Sequence, residues 1–357
     1  LLKNFKFKLT RRSAIQGCFI FSFSIVRPSS GYAESNVPTN QSILWPTWKS
    51  RFLSRDGRIV DAQNGGISHS EGQGYGALLA QANGDREAFD RIEAWTRANL
   101  LVRQDHLMAW RWHPERGVAG QDWQSATDGD LFRAWALLRA QRDSGWTGMG
   151  DAVSNIAQDI ASLCIQPDPR EPSAPLLTPG AEARTDQQRV LINPSYIMPR
   201  ALRELGLAAN QPNLIAAADH GEQVLSELAA LGPIPDWIDV KPDGFVTAPE
   251  YGRSSGYDAL RVPLFLIWSD RFNHPAVARA AAEFATADTL GHVAVLTTSD
   301  SGLVAQSNQR GYLAIAALAN CEPLNISRYN LHRQSYYPAT LQLLSEVAER
   351  ESTSCRD

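Results

Sequence analysis

The stretch Ser-Glu-Gly-Gln-Gly-Tyr-Gly at 70–76 sets one carboxylate, Glu71, among small residues and beside Tyr75. The apolar run Ala77, Leu78, Leu79, Ala80 follows at once. A Glu at the mouth of a helix, with glycines that let a bulky ligand approach the backbone, suits a general acid for a sugar or acyl leaving group. Two later segments repeat the arrangement. Ala-Thr-Asp-Gly-Asp at 126–130 offers Asp128, and Gly-Tyr-Asp-Ala-Leu-Arg at 256–261 offers Asp258. Each carboxylate also has an ordinary structural reading. Glu71 in a first helical turn is favoured by the helix dipole, Asp128 sits where helices are commonly N-capped, and Asp258 stands three residues before Arg261, an ion-pair spacing. Three such segments, each flanked by glycine or aromatic residues, favour one shared site over three unrelated helix ends.

Other chemistry finds little support. His69 and His113 are not spaced for a metal site, so neither metal nor cofactor is expected. The glycine-rich run at 72–76 has no preceding strand and no following Lys to hold a phosphate.

The elements that must position the carboxylates are mostly helical. Amphipathic runs predict helices near 45–54, 72–83, 86–100, 128–143, 149–165, 195–206, 211–231, 258–271, 275–288, 310–320 and 336–350. The period is clearest in 211–231, where Leu214, Ala217, Ala218, Val224, Leu225, Leu228 and Leu231 share one side, Pro212 opens the run and Gly232-Pro233 closes it. Strand signals are few and short; 107–112 and 244–247 are the better ones. With no repeat and no linker, the pattern predicts an all-α domain, better as a toroid of paired helices than as a four-helix bundle. Long loops at 101–126, 166–194 and 233–257 carry the aromatics Trp110, Trp112, Trp123, Trp237, Phe245, Tyr251 and Tyr257, where a ligand groove is expected.

Of the 357 residues 43% are hydrophobic and 20% charged, which excludes a disordered chain, and the net charge of −4 argues against a nucleic-acid binder. Ten Trp suit either core packing or sugar stacking. The first 33 residues read as an export signal: Lys3, Lys6, Lys8, Arg11 and Arg12 precede an apolar run at 14–26, and Gly31-Tyr32-Ala33 offers a cleavage site. Arg11-Arg12 also fits a twin-arginine signal. The expected organisation is a signal at 1–33, a flexible segment at 34–43, one catalytic domain at 44–350 and a tail at 351–357. That implies a secreted or periplasmic protein with no membrane span once the signal is removed. Cys164 reads as a buried thiol, and a Cys321–Cys355 disulfide is one arrangement an oxidising compartment would allow.

Ser-His-Ser-Glu-Gly-Gln-Gly-Tyr-Gly at 68–76, Ala-Thr-Asp-Gly-Asp at 126–130, Asn-Pro-Ser-Tyr at 193–196 and Tyr-Asp-Ala-Leu-Arg-Val-Pro at 257–263 resemble the signature segments of glycoside hydrolase family 8. The likeness is strongest to the periplasmic or secreted endo-β-1,4-glucanases that accompany bacterial cellulose synthases, and it runs in order from about residue 44 to 348. It implies an (α/α)6 barrel and hydrolysis with inversion. Carried over by motif, Glu71 is the general acid, Asp258 the general base, and Asp128 binds the distorted sugar beside the scissile bond. Tyr196 and Arg261 would lie near that subsite, and Tyr75, Trp110, Trp112, Trp123, Tyr251 and Tyr257 are candidates to contact the sugar chain. A general acid requires Glu71 to have a raised pKa. The resemblance further implies a β-1,4-glucan substrate and a cellulose synthase complex as partner; related β-glycans (chitosan, xylan, mixed-linkage glucan), a non-catalytic glucan-binding protein and a polysaccharide lyase are the alternatives. One departure stands out: Arg133 occupies a helix position that is usually aliphatic in the family, which questions the local packing.

Overall fold

A computed structural model describes residues 41–183, 188–298, 302–324, 326 and 331–353. The expected export signal lies outside the described residues. Eleven α-helices occur among them: α1 (Trp45–Phe52), α2 (Ser70–Ala82), α3 (Arg86–Asn99), α4 (Thr127–Arg142), α5 (Gly150–Leu163), α6 (Pro199–Ala208), α7 (Pro212–Leu231), α8 (Arg261–Trp268), α9 (Pro275–Phe284), α10 (Arg310–Ala319) and α11 (Tyr336–Glu351). No helix among the described residues is long and apolar enough to cross a membrane.

The helices form two layers because some are apolar on every side and others on one. All eight residues of α8 are buried, as are nearly all of α2 and α4. A helix apolar all round has to be enclosed by others. The inner ring of six closes as α2 packs on α4, α4 on α6, α6 on α8, α8 on α10 and α11, α10 on α11, and α11 back on α2. Around it α3 lies on α2, α5 on α4, α7 on α6, α9 on α8 and α1 on α11. This is an (α/α)6 barrel. Trp48, Phe89, Phe132, Trp135, Phe265 and Trp268 fill its interior, with Trp135 and Trp268 meeting edge to face at 5.0 Å.

Strand content exceeds the expectation. Ten short strands occur among the described residues: β1 (Ser68–His69), β2 (Arg111–Trp112), β3 (Ile165–Pro167), β4 (Pro175–Leu177), β5 (Val190–Ile192), β6 (Ile238–Lys241), β7 (Gly244–Thr247), β8 (Ser254–Ser255), β9 (Val293–Thr298) and β10 (Gly302–Ser307). They pair antiparallel as β1–β2, β3–β4, β5–β6–β7 and β8–β9–β10. These ribbons stiffen the long loops that surround the site.

Three boundaries differ from the sequence reading. The helix placed at 195–206 is a 3-10 turn, Pro194–Tyr196, followed by α6 with Pro199 in its first turn. The helix placed at 258–271 begins only at Arg261, which leaves Asp258 in the preceding turn. The supposed flexible and tail segments are partly integral: the Ser42 amide donates to Asn83 Oδ1 at 2.8 Å, and Glu351 accepts from Arg139 Nη1 at 2.8 Å and Trp268 Nε1 at 2.9 Å. Arg133 is buried but paired, its Nε and Nη2 donating to Glu93 at 3.0 and 2.6 Å. The helix thus tolerates a charge at an apolar position by bringing in a counterion. Cys164 is a buried free thiol, whose burial pushes its pKa up to about 12. Cys321 is disulfide-bonded, while Cys355 lies outside the described residues.

Candidate active site

The N-terminal ends of α2 and α4 and the turn before α8 converge at one end of the barrel. Glu71 is the second residue of α2, whose first turn is capped by His69: Nδ1 accepts from the Gly72 amide at 3.0 Å. Asp128 is the second residue of α4. The two helix ends approach so closely that a Cβ on Gly129 would stand 2.4 Å from Ser70 Oγ and 2.7 Å from the Glu71 amide nitrogen. Only glycine permits that contact.

Arg261, the first residue of α8, is fully buried and joins the carboxylates. Its Nη1 donates to Glu71 Oε2, and also to Tyr75 Oη at 3.1 Å and Asp128 Oδ2 at 3.4 Å. Its Nη2 donates to Asp258 Oδ1 at 2.8 Å and Ser195 Oγ at 2.8 Å. Asn193 donates through Nδ2 to Asp258 Oδ2 at 3.1 Å, and its Oδ1 accepts from Ser195 Oγ at 2.7 Å. Glu71 and Asp258 are held by the two terminal nitrogens of one planar guanidinium, so their bonded oxygens stand no more than about 8 Å apart.

The protonation pattern differs from the sequence expectation of a raised Glu71. Burial alone would raise it, but the positive charge of Arg261, His69 and hydrogen bonds from Asp128 and Arg261 outweigh burial and hold Glu71 below its ordinary value. Asp128 is pushed well above the carboxylate range by burial and by the charge of Glu71. Burial and the neighbouring Glu71 charge thus favour the neutral form of Asp128, while Arg261 favours the ionised form of Glu71. Asp258 is raised by burial, against the pull of Arg261 and with the help of Asp236 and Glu71. Burial likewise keeps Tyr75, Tyr196, Tyr336 and Tyr337 neutral.

The carboxylates open into a cavity of about 660 Å³ lined also by His69, Trp110, Tyr196, Tyr257, Tyr312 and Tyr337. A second cavity of about 650 Å³ shares Trp110, Ala126 and Tyr196 with the first and extends past Arg189, Trp237 and Tyr251. The two are halves of one groove. Trp237 and Tyr251 stack in its wall at 4.3 Å between centroids and 11° between planes.

Not every predicted contact residue lines this groove. Trp110, Tyr196, Tyr251 and Tyr257 do. Tyr75 is wholly buried beneath the floor, edge-on to Phe132 at 4.7 Å, and meets Arg261 rather than a ligand. Arg261 is buried too and serves the carboxylates. Trp112 packs edge to face on Trp95 at 5.4 Å in a small separate core. Trp123 is 47% exposed beneath the Arg103 guanidinium and is absent from the lining of both halves. The sequence reading missed Tyr312, Tyr336 and Tyr337, and placed Trp237 only among the loop aromatics. The Tyr336-Tyr337 pair at a helix start was the available signal.

Three carboxyl groups around one buried cation, on the floor of an aromatic groove across an (α/α)6 barrel, define a glycoside hydrolase acting on a polysaccharide. Residues 26–351 match Glycosyl hydrolases family 8. The chain belongs to that family, whose members hydrolyse with inversion. It is 31% identical to a probable endoglucanase of Novacetimonas hansenii over 92% of this chain and 96% of that protein. It is also 33% identical to an endoglucanase of Cellulomonas uda over 63% of each, so the match spans less than two thirds of that relative. Among solved structures, the family 8 endoglucanase Cel10 of Klebsiella pneumoniae superposes with a TM-score of 0.79 at 28% identity, covering 87% of this chain and 99% of that one. The endo-β-1,4-glucanase CMCax of Acetobacter xylinum gives 0.74 at 29% identity, covering 86% and 97%.

Proposed function

We propose that the protein is an endo-β-1,4-glucanase in which Glu71 is the general acid, Asp258 the general base and Asp128 a third carboxyl that supplies the proton and then stabilises the transition state. The observation that carries this reading is the single buried guanidinium of Arg261, bonded to all three carboxyls on the groove floor. Inversion needs one protonated carboxyl at the leaving oxygen and one ionised carboxylate on the far side, about 6.5–9.5 Å away, with a water between.

In this reading the proton starts on Asp128, which burial pushes towards its neutral form, and is shared with Glu71. As the glycosidic oxygen gains charge, the proton passes from Asp128 to Glu71 and from Glu71 to that oxygen, which leaves both carboxyl groups ionised. Asp128 is then anionic beside the sugar ring as positive charge develops there, an interaction present only in the transition state. Asp258, partly exposed and oriented by Asn193 and Arg261, removes the proton from the attacking water. Tyr196, Trp110, Trp237 and Tyr251 offer rings to the apolar faces of glucose. The groove continues on both sides of Trp110 and Tyr196, which suits cleavage within a chain. The basic and apolar leader at 1–33 supports export to the periplasm or beyond, and the sequence resemblance supports service to a cellulose synthase complex.

The test is a reducing-end assay on carboxymethylcellulose, chitosan, xylan and mixed-linkage glucan side by side, with Glu71→Gln and Asp258→Asn. Carboxymethylcellulose is expected to be cleaved best. Glu71→Gln should lose nearly all activity on glucan and recover on an aryl cellobioside with a good leaving group, because little protonation is then needed. Asp258→Asn should be equally impaired on both. Recovery in the opposite variant would reverse the two roles. Cell fractionation with the leader intact and deleted tests export.

A further inference from the structure

We propose that Asp236 is a positioning residue for the reaction, its carboxylate fixing the turn that presents Asp258 to the attacking water. This rests on the reading of Asp258 as the base. Asp258 lies ahead of α8, so the helix itself does not fix it. One oxygen of Asp236 supplies what the helix does not: Oδ1 accepts from the amides of Gly256 at 2.9 Å, Asp258 at 3.1 Å and Ala259 at 2.8 Å. Its Oδ2 accepts from Ser254 Oγ at 3.2 Å, and its own amide donates to the Ser254 carbonyl at 2.8 Å. The turn then feeds into α8 through Leu260 to the Gly256 carbonyl and Arg261 to the Asp258 carbonyl, both at 3.0 Å. Asp236 thereby sets the base and the root of the Arg261 side chain together. The close approach needs glycine at 256, where a Cβ would meet Leu296 Cδ1 at 2.7 Å and Asp236 Oδ2 at 3.0 Å. Asp236 also directly precedes Trp237 of the groove wall, whose ring faces Tyr196 at 6.1 Å, so one carboxylate ties the base to the surface that seats the sugar.

A charge so placed also acts on Asp258 through space. The groups facing Asp258 are Arg261 from α8, Glu71 from α2, Tyr337 from α11, Asn193 and Tyr196 from the preceding turn, and Asp236. Asp236 and Glu71 raise Asp258 against Arg261, on top of burial. A base must be ionised, so removing the Asp236 charge should let Asp258 ionise at lower pH.

The experiment compares Asp236→Ala, Asp236→Asn and Asp258→Asn by kcat, KM, the pH profile of kcat/KM on a cello-oligosaccharide, and melting temperature. Asp236→Ala should lose about 100-fold in kcat, the scale of a small misplacement of a reacting group, with KM nearly unchanged. Asp236→Asn keeps an acceptor oxygen and should recover most of that loss. Both should move the acidic limb of the profile to lower pH. Should the alanine variant not fold, the limb of the asparagine variant decides. A limb that stays in place, or a loss of kcat that only tracks melting temperature, would overturn the positioning role. Near-normal activity in Asp258→Asn would instead overturn the base assignment, leaving the two failures distinct.

Discussion

Replacing Arg261 by Met tests the electrostatic centre of the site. Met fills much of the stem volume but removes the one cation bonded to Glu71, Asp128 and Asp258. Breaking a buried ion pair from one side costs about 3–5 kcal/mol when the remaining charge stays ionised. The carboxylates can avoid that cost by taking up protons, so the loss must depend on pH. Without Arg261 all three bind protons more tightly in the folded protein than in the unfolded chain, whose carboxylates titrate near pH 4. The unfolded state then releases protons first as pH rises, and stability falls through that range. At pH 7 the variant should melt roughly 5–15 °C below wild type, and the gap should narrow towards pH 4. Activity should fall, with its acidic limb moved to higher pH because Asp258 loses the charge that favours its ionised form. Thermal denaturation of both proteins from pH 4 to 8 is the assay. A melting-temperature gap independent of pH would mean that Arg261 acts by packing, and would refute the reasoning.

Other outcomes follow from particular contacts. Trp110→Ala should weaken cello-oligosaccharide binding by about 1–3 kcal/mol, measured calorimetrically. Trp112→Ala should lower the melting temperature and spare affinity, because its ring meets Trp95 and not the groove. Gly129→Ala should abolish most turnover while the protein remains helical by circular dichroism, since the added methyl collides with Ser70 and the Glu71 backbone. Asp128→Asn should fold normally, because an amide matches the neutral form that burial favours at this position. Its kcat should still fall strongly for want of a transferable proton and a later negative charge.

The helices were legible in the sequence because their apolar residues recur every three to four positions and Pro or Gly marks their ends; α7, opened by Pro212, is the plainest case. The boundaries that slipped lie where a turn mimics a helix start, as at Pro194–Tyr196 and at Asp258. Most of the ribbons escaped because strands of two to four residues carry no period, although the alternation in Val293–Thr298 was long enough to have been read. The carboxylates were legible as individuals, each beside glycine or an aromatic. Their union through Arg261 was not, since nothing in the spacing of positions 71, 128, 258 and 261 encodes convergence. The lowered direction of Glu71 could not be read from the sequence for the same reason: the guanidinium that works against its burial stands 190 residues away. Trp110 and Trp112 diverge in their neighbours: Trp110 lies under the Arg111 guanidinium at 4.2 Å on the groove wall, and Trp112 packs on Trp95.

The central claim is that Glu71 and Asp258 act from opposite sides of a β-1,4-linkage with a water between them. Proton NMR of the first sugar released from a β-linked cello-oligosaccharide tests it most directly. Attack by that water from the Asp258 side predicts that the α-anomer appears first and then relaxes towards the equilibrium mixture. An initial β-anomer would mean a covalent glycosyl-enzyme and retention, and would contradict the mechanism even if every residue named here proved essential.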